Sequence, residues 1–307
     1  MKVLVTGGAG FIGSHIVEAL LRRGHEVEVV DDLSSGNIAH VPSGVRLHRF
    51  DICSARSGEV FRHDGFDAVI HCAAQVGVPA SMRRPQRDWK VNVLGTARLL
   101  EHCRRYQVSK FVFLSSGAAV YGETARPARE DAPVNPGNFY GVHKYCAERY
   151  VLFSGLQHVI LRLSNVYGPR QRAGLEGGVV AVFQEGLTNG EPAHIFGTGE
   201  QTRDFVHVYD VAAAAIVALE YPGSETWNIS TGVASSVRRL LGLMSKELGA
   251  SPRVINHQPR AGDVIHSCLD NAKINATGLW SPQYDLEAGL KQLLHGDGSV
   301  GVSLRSG

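Results

Sequence analysis

Residues 5–35, VTGGAGFIGSHIVEALLRRGHEVEVVDDLSS, decide the fold of this 307-residue chain. A short apolar run ends in a turn with Gly7, Gly10 and Gly13 and leads into an amphipathic stretch that is typical of a helix. A second apolar run then ends at Asp31. This order of strand, glycine turn, helix, strand and acid is typical of a dinucleotide-binding unit, because a turn without side chains lets a diphosphate approach the helix N-terminus.

Asp31 also predicts which dinucleotide is bound. A carboxylate at the end of the second strand accepts hydrogen bonds from the adenosine ribose hydroxyls, and it repels a 2′-phosphate. The sequence therefore favours NAD over NADP as the cofactor.

Short apolar runs alternate with longer helical patterns through the first half of the chain. Runs rich in Val, Ile, Leu and Phe are typical of strands that are buried on both faces, namely KVLVT, EVEVVD, VRLHRFD, DAVIHCAA, KFVFLSS and HVILRLSN. The alternation predicts an α/β fold with a doubly wound parallel sheet. After Asn165 the sequence is richer in Gly and Pro, which favours a smaller α/β substrate-binding part built from the C-terminal half.

These changes in pattern predict the domain organisation. We expect an NAD-binding domain over residues 1–165, rejoined by about 205–227. The substrate-binding part then comprises residues 166–204 and 228–294, and residues 295–307 form a flexible tail without an apolar pattern.

Composition excludes several classes of partner. The net charge is +2, from 31 basic and 29 acidic residues, so no charge excess indicates binding to nucleic acid or to a membrane surface. The five cysteines are dispersed without the spacing of a metal site or of a disulfide framework. No signal peptide and no apolar stretch of about 18 residues is apparent, and we expect a cytoplasmic protein without a metal.

The stretch NFYGVHKYCAERY carries a candidate catalytic pair. Tyr140 and Lys144 are four residues apart and share one face of a helix. Tyrosine has an ordinary pKa of about 10, but a nearby ammonium and a positively charged nicotinamide both favour the phenolate. The pair can therefore act as a general acid and base near neutral pH.

From Lys2 to about Leu294 the chain resembles the extended short-chain dehydrogenase/reductase family, and within it the nucleotide-sugar epimerases of the UDP-glucose 4-epimerase type. The resemblance rests on the motifs TGGAGFIGSH, DDLSSG, HCAAQ, NVLGT, SSGAAVYG, YGVHK, NVYGPRQ, GTGEQTRDFVHVYD and RAGD. It implies a Rossmann sheet, a homodimer, a nucleotide-sugar substrate and 4-epimerisation of a nucleotide hexose of the UDP-glucose type, either plain or N-acetylated.

The resemblance also implies roles for individual residues. The implied cofactor-binding residues are Gly7, Gly10, Phe11, Ile12, Gly13, Asp31, Asp32, Leu33, Ser35, Gly36, Asp51, Ile52, Ala73, Ala74, Gln75, Asn92, Ser115, Tyr140 and Lys144. The implied substrate-binding residues are Ser116, Gly117, Asn165, Arg203, Arg260, Asp263 and Ser267. Arginines suit the diphosphate because guanidinium groups bind phosphate oxygens in a fixed geometry.

Two departures from related enzymes bear on the reaction. Sugar dehydratases and decarboxylases of this family carry acidic residues where this chain has Ala118 and Ala119, so neither reaction is expected. The usual catalytic Ser or Thr of the family is Gly117 here, and Ser116, an ordered water or direct contact with Tyr140 could replace it. The resemblance also implies that position 267 borders the sugar pocket. A large aromatic there would obstruct a bulky group at C2 of the sugar, whereas Ser267 is small and leaves room for it.

Three alternatives stay open on the sequence alone. The substrate could be another nucleotide sugar, such as UDP-glucuronate or a dTDP-sugar. The chain could reduce a sugar or ketone with stoichiometric use of cofactor. It could also bind NAD without chemistry, as a redox-sensing module, because a fold by itself does not determine function.

Overall fold

The computed structural model describes residues 1–176, 178–259 and 264–296. Its strands are β1 (Lys2–Thr6), β2 (Glu26–Asp31), β3 (Arg46–Arg49), β4 (Ala68–His71), β5 (Lys110–Ser116), β6 (Gln157–Leu163), β7 (Asn165–Tyr167), β8 (Ala193–Phe196), β9 (Thr202–His207), β10 (Glu225–Ile229), β11 (Ala234–Ser236), β12 (Val254–His257) and β13 (His266–Ser267).

The helices follow the predicted alternation with the strands. They are α1 (Phe11–Arg22), α2 (Ser57–Asp64), α3 (Val78–Arg83), α4 (Pro85–Trp89), α5 (Thr96–Arg105), α6 (Gly117–Tyr121), α7 (Phe139–Phe153), α8 (Ala173–Glu176), α9 (Val179–Thr188), α10 (Val208–Glu220), α11 (Val237–Glu247), α12 (Ala272–Asn275) and α13 (Leu286–His295), with a 3-10 turn at Ile38–His40 and a π-helical turn at Lys90–Gly95. None of these helices is long and apolar enough to cross a membrane.

The larger sheet has the strand order β10-β6-β5-β4-β1-β2-β3, and all of its neighbouring strands are parallel. This confirms the predicted α/β fold with a doubly wound parallel sheet. The strand order reverses next to β1, which pairs with β2 on one side and with β4 on the other. In such sheets a crevice opens at the carboxyl ends of the strands beside the reversal, and ligands bind there.

Apolar side chains cover both faces of this sheet. In β1, Val3 and Val5 pack into one buried cluster and Leu4 packs into the other. Successive residues of a strand point to opposite faces, so an unbroken apolar run is what a sheet covered on both sides requires.

Helix α10 covers one face of the sheet beside α1. Four successive small residues, Ala212–Ala215, are buried in it. Because methyl side chains occupy little volume, the two helices pack closely against each other and against the strands. β10 follows α10 and extends the larger sheet at its edge.

The C-terminal half also forms smaller sheets. In one of them β9 pairs with β7, β11 and β13, while β8 and β12 form a separate parallel pair. A third apolar cluster, which includes Phe183, Ile195 and Leu240, packs beneath them. The proposed domain boundaries stay a prediction. His295, the first residue of the predicted tail, is the last residue of α13, and residues 297–307 lie outside the described part of the chain.

Candidate active site

A cavity of about 910 Å³ opens at the carboxyl ends of the strands of the larger sheet. It extends from the glycine turn after β1 to β8 and β13 in the C-terminal half. The predicted site residues that line it are Gly7, Gly10, Phe11, Ile12, Gly13, Asp31, Asp32, Ser35, Asp51, Ile52, Ala73, Ala74, Gln75, Ser115, Ser116, Tyr140, Lys144, Asn165, Arg203 and Ser267. Residues from both halves of the sequence therefore meet in one cavity.

The glycine turn is shaped by close backbone approach. Gly7 has a φ of +70°, and a Cβ atom there would lie 2.6 Å from the backbone nitrogen of Ala73. A Cβ atom on Gly13 would lie 2.1 Å from the carbonyl oxygen of Gly7. The first turn of α1 carries no acidic side chain, so its N–H groups and positive dipole face the cavity without a competing carboxylate. These features fit the diphosphate of a dinucleotide.

Asp31 is held in place by the backbone around it. Its Oδ2 accepts a hydrogen bond from the N–H of Ala9 at 3.0 Å, and its Oδ1 accepts one from the N–H of Leu33 at 2.8 Å. Burial raises the pKa of Asp31, and these two N–H donors counteract the shift. Each carboxylate oxygen retains a lone pair for a ribose hydroxyl. Leu33 and Gly36 do not line the cavity; they pack around Asp31.

Asn92 also lies outside the cavity lining and acts on a residue that is part of it. Its side-chain oxygen accepts a hydrogen bond from the N–H of Gln75 at 2.9 Å, and its amide donates to the carbonyl of Gln75 at 3.0 Å. Asn92 belongs to the π-helical turn and is buried. It therefore fixes the loop after β4 along the cavity wall.

Lys144 is a buried residue of α7. Its Nζ donates a hydrogen bond to the carbonyl oxygen of Leu114 at 2.6 Å and lies 4.1 Å from the centroid of the Phe113 ring. Burial lowers the pKa of Lys144 to about 8, and nearby acidic groups oppose that shift. The ammonium is therefore close to losing its proton at mildly alkaline pH.

The pKa of Tyr140 differs from the lowered value that its spacing to Lys144 led us to expect. Burial, followed by the negative charge of Asp88, raises the pKa of Tyr140 to about 12, while a hydrogen bond with Ser116 lowers it. In the chain by itself, desolvation outweighs the effect that the lysine was expected to have. The positive charge of an oxidised nicotinamide would favour the phenolate in addition.

Asp88 is a residue that the sequence analysis missed. It is fully buried, and its Oδ2 lies 2.7 Å from Nδ1 of His143. Asp88 lies far from Tyr140 in the sequence, and no spacing links the two. Only the tertiary structure brings this carboxylate near the phenol.

Glu148 and Arg162 were also missed, although one signal was present. Glu148 follows Lys144 by four residues and Tyr140 by eight, so the three share a face of α7. It is fully buried and pairs with Arg162, whose Nη2 donates to its Oε2 at 2.7 Å. Extending the spacing of Tyr140 and Lys144 by one further helical turn would have identified Glu148 from the sequence.

Gly117 does not line the cavity, and the space beside it is filled. A Cβ atom there would lie 2.6 Å from Cδ1 and 3.2 Å from Cδ2 of the buried Leu269. Leu269 thus occupies the position in which a larger residue at 117 would project. The residue before Gly117 in the sequence, Ser116, does carry a hydroxyl and lines the cavity.

The far end of the cavity contains the predicted substrate residues. Arg203 of β9 and Ser267 of β13 are register partners, and Nη1 of Arg203 donates to the carbonyl of Thr202 at 2.8 Å. Oδ1 of Asn165 is buried and has no hydrogen-bond partner among the described residues, so a ligand donor would satisfy it. Arg260 and Asp263 lie outside the described residues.

Comparison with known proteins agrees with this geometry. The sequence profile of the NAD dependent epimerase/dehydratase family matches residues 3–230. The chain belongs to this family. The match confirms the resemblance inferred from the motifs, and NAD is the cofactor, as the glycine turn and Asp31 predicted.

Individual relatives of the epimerase/dehydratase family match almost the whole chain. The UDP-glucose 4-epimerase of Mycolicibacterium smegmatis is 40% identical over 94% of this chain and 96% of its own. The Thermotoga maritima UDP-glucose 4-epimerase, solved with UDP-glucose, is 41% identical with a TM-score of 0.94, covering 96% of this chain and 98% of its own. The UDP-glucose 4-epimerase of Thermus thermophilus, solved with NAD, is 40% identical with a TM-score of 0.92 and the same coverage.

The contact between Gly117 and Leu269 generates a prediction about packing. Gly117→Ser should lower the free energy of unfolding by about 1–3 kcal/mol, because the new side chain overpacks a filled space. Leu269→Ala makes room for it, so the two changes combined should cost less than the sum of their separate costs. Denaturant unfolding of the single and double variants measures this coupling.

Gly137→Ser is the matched control, because no atom lies within 4 Å of a Cβ atom built there. It should change the free energy of unfolding by less than about 0.5 kcal/mol. Strictly additive costs of Gly117→Ser and Leu269→Ala would contradict the packing explanation.

Proposed function

We propose that this chain is an NAD-dependent 4-epimerase that interconverts UDP-glucose and UDP-galactose. The observation that carries the proposal is the meeting of Tyr140, Ser116 and Lys144 on the wall of one cavity that also contains the dinucleotide turn. The same cavity reaches Arg203 and Ser267, which supplies room for a nucleotide sugar beside the cofactor.

Tyr140 is the general base and acid of the proposed reaction. NAD held at the glycine turn and by Asp31 would supply reversible hydride transfer at C4 of the sugar. Tyr140 removes the proton of the 4-hydroxyl, and it gives the proton back after the 4-keto sugar has turned in the cavity to present its other face. Oxidation and reduction balance, so no cofactor is consumed.

Ser116 and Lys144 assist the tyrosine in different ways. The Ser116 hydroxyl lowers the pKa of Tyr140 and supplies the hydroxyl that Gly117 lacks. Lys144 contributes a positive charge that favours the phenolate and hydrogen-bond donors for the nicotinamide ribose. Its bond to the Leu114 carbonyl anchors the ammonium at the end of β5.

Two alanines beside these catalytic residues limit the chemistry. Ala118 and Ala119 both line the cavity, and their methyl groups can neither donate nor accept a proton. Elimination of water and decarboxylation both need such a group beside the sugar. Oxidation and reduction at C4 are therefore the reactions that the cavity supports.

Ser267 sets the room available at the sugar. Its side chain is buried, lines the cavity and is small. A larger aromatic at this position would fill space that an acetamido group at C2 requires. We therefore include N-acetylated UDP-hexoses in the proposed substrate range.

A homodimer is part of the proposal. A groove between α5 and α7 is bordered by Tyr150 and Phe153, whose side chains are 48% and 76% exposed. The same surface carries Glu101 close to Arg104 and Arg149. Arg105 lines the groove as well, and across a two-fold axis Glu101 of each copy can face an arginine of the other while the apolar side chains pack together.

We further propose that the protein works in the cytoplasm. All five cysteines are free thiols, and Cys53, Cys103 and Cys268 are buried. Burial raises the pKa of each of these three thiols, which keeps them protonated and unreactive. Immunodetection of the protein in a secreted or extracytoplasmic fraction of the source cells would contradict this location.

Chromatography of reaction mixtures tests the proposed function. Purified protein should convert UDP-glucose into UDP-galactose without added NADH. Tyr140→Phe should lower kcat at least ~10²-fold through loss of the acid and base, with a smaller loss in Ser116→Ala. Tyr145→Phe is the control on the same helix, because Tyr145 does not line the cavity. A fully active Tyr140→Phe variant, or an inactive parent, would contradict the proposal.

Substitution of Ser267 tests the substrate range. Ser267→Tyr should reduce kcat/KM for UDP-N-acetylglucosamine at least ~10-fold more than for UDP-glucose, because the ring overlaps the C2 substituent. Ser267→Ala preserves the space and should preserve the ratio of the two activities. Equal losses on both sugars, or a parent without activity on the N-acetyl sugar, would remove Ser267 as a determinant.

Sedimentation equilibrium tests the oligomeric state. The parent should sediment as a dimer, and Phe153→Glu should shift it toward the monomer by placing a charge in the apolar groove. Leu279→Glu introduces the same charge at a side chain that is 53% exposed and outside the groove, so it should remain dimeric. A monomeric parent would overturn the proposed assembly.

A further inference from the structure

The end of β5 is tied to α7 by three contacts in succession. The carbonyl of Leu114 accepts a hydrogen bond from Nζ of Lys144 at 2.6 Å. The hydroxyl of Ser115 donates to Oε1 of Glu148 at 2.5 Å. The next residue, Ser116, interacts with the phenol of Tyr140 and lowers its pKa. Consecutive residues of one strand thus contact three residues along one face of the helix.

Glu148 is the member of this set that lies deepest. It is fully buried, and its charge is balanced by Arg162 of β6. Nε of Arg162 donates to Oε1 at 3.1 Å and Nη2 donates to Oε2 at 2.7 Å, which is a bidentate arrangement. A buried pair with such geometry holds both side chains in one orientation.

Arg162 is itself fixed from the opposite side. Its Nη1 donates to the hydroxyl of Tyr121 at 2.7 Å, and that hydroxyl donates to Oδ1 of Asn228 at 2.9 Å. Both residues are buried. Arg162 therefore holds the Glu148 carboxylate in one position. That carboxylate in turn fixes the hydroxyl of Ser115, which lines the cavity.

Glu148 also acts on Lys144 through its charge. Burial lowers the pKa of Lys144, and Glu148 is the first of the groups that raise it. The titratable and charged groups around the ammonium are Tyr140 and Glu148 of α7, His71 of β4 and Cys72 after it, Asp88 of α4 and, behind Glu148, Arg162 of β6. Cys72 and Asp88 favour the ammonium as well, but neither is hydrogen-bonded to the end of β5.

We propose that Glu148 is a positioning residue of the epimerisation site, which fixes the catalytic end of β5 through Ser115 and supplies negative charge facing the Lys144 ammonium. This inference rests on the proposed function for its consequence on turnover. Glu148 does not line the cavity, and it acts only through Ser115 and Lys144, which do.

Glu148→Gln separates charge from shape, because glutamine has nearly the same volume and can accept the serine hydrogen bond. NADH is titrated against the protein at a series of pH values, and binding is followed by nicotinamide fluorescence. In the parent, affinity should fall as pH rises through about 8, where Lys144 loses the proton that strengthens its hydrogen bonds to the ribose. In Glu148→Gln the charged form of Lys144 is less favoured, because the neighbouring carboxylate is gone. The pH at which NADH affinity falls should therefore be about one unit lower than in the parent.

Asp210→Asn is the matched control for loss of a buried carboxylate. Asp210 is buried and accepts backbone hydrogen bonds from Gln283 and Tyr284, away from α7. It should lower the Tm and leave the pH of the break unchanged. A Glu148→Gln variant that behaves in the same way would make Glu148 a stabilising residue only and overturn its charge role.

Glu148→Asp tests the positioning role. If Glu148→Gln does not fold, this variant alone tests the proposal. It keeps the charge but retracts the carboxylate by one methylene, so the bond from Ser115 is lost. Turnover of UDP-glucose should fall about tenfold with KM changed less than about threefold, because misplaced catalytic groups lower the rate more than they weaken binding.

Full kcat in the Glu148→Asp variant would overturn the proposal. The NADH titration needs no sugar, so an inactive parent would refute the epimerase function and leave the charge role to be judged by the titration.

Discussion

The backbone contact between Gly7 and Gly13 is the constraint on which the site depends. A single carbon atom on Gly13 would overlap the Gly7 carbonyl, and one on Gly7 would overlap the loop after β4. Only a turn without side chains brings the end of β1, the start of α1 and that loop together. A diphosphate can then approach the backbone in the crevice between β1 and β4, and the residues that follow β5 and begin α7 complete its wall.

Much of the fold could be predicted because its signals are local. The apolar runs, the glycine turn and Asp31 occur within short windows, and each reports burial or backbone conformation directly. Helical periodicity also predicted that Tyr140 and Lys144 share one face of a helix, and both line the cavity. The regular strand order of the larger sheet then follows from the handedness of strand–helix–strand units.

The parts that could not be predicted depend on contacts between distant segments. Leu269 fills the space beside Gly117, Asp88 approaches Tyr140, and Arg162 reaches Glu148, and none of these pairs has a sequence spacing that reveals it. The pKa of Tyr140 illustrates the consequence. A helical spacing to lysine suggested a lowered value, whereas burial, a property of the assembled structure, raises it.

The alanines of α10 extend the influence of the cofactor site to positions that no ligand reaches. Ala212–Ala215 are buried where α10 packs beside α1, and α1 carries the glycine turn at its N-terminus. Any larger side chain there displaces the helix whose first turn faces the diphosphate. Cofactor binding at the glycine turn therefore depends on a layer of methyl groups behind the sheet, which no ligand touches.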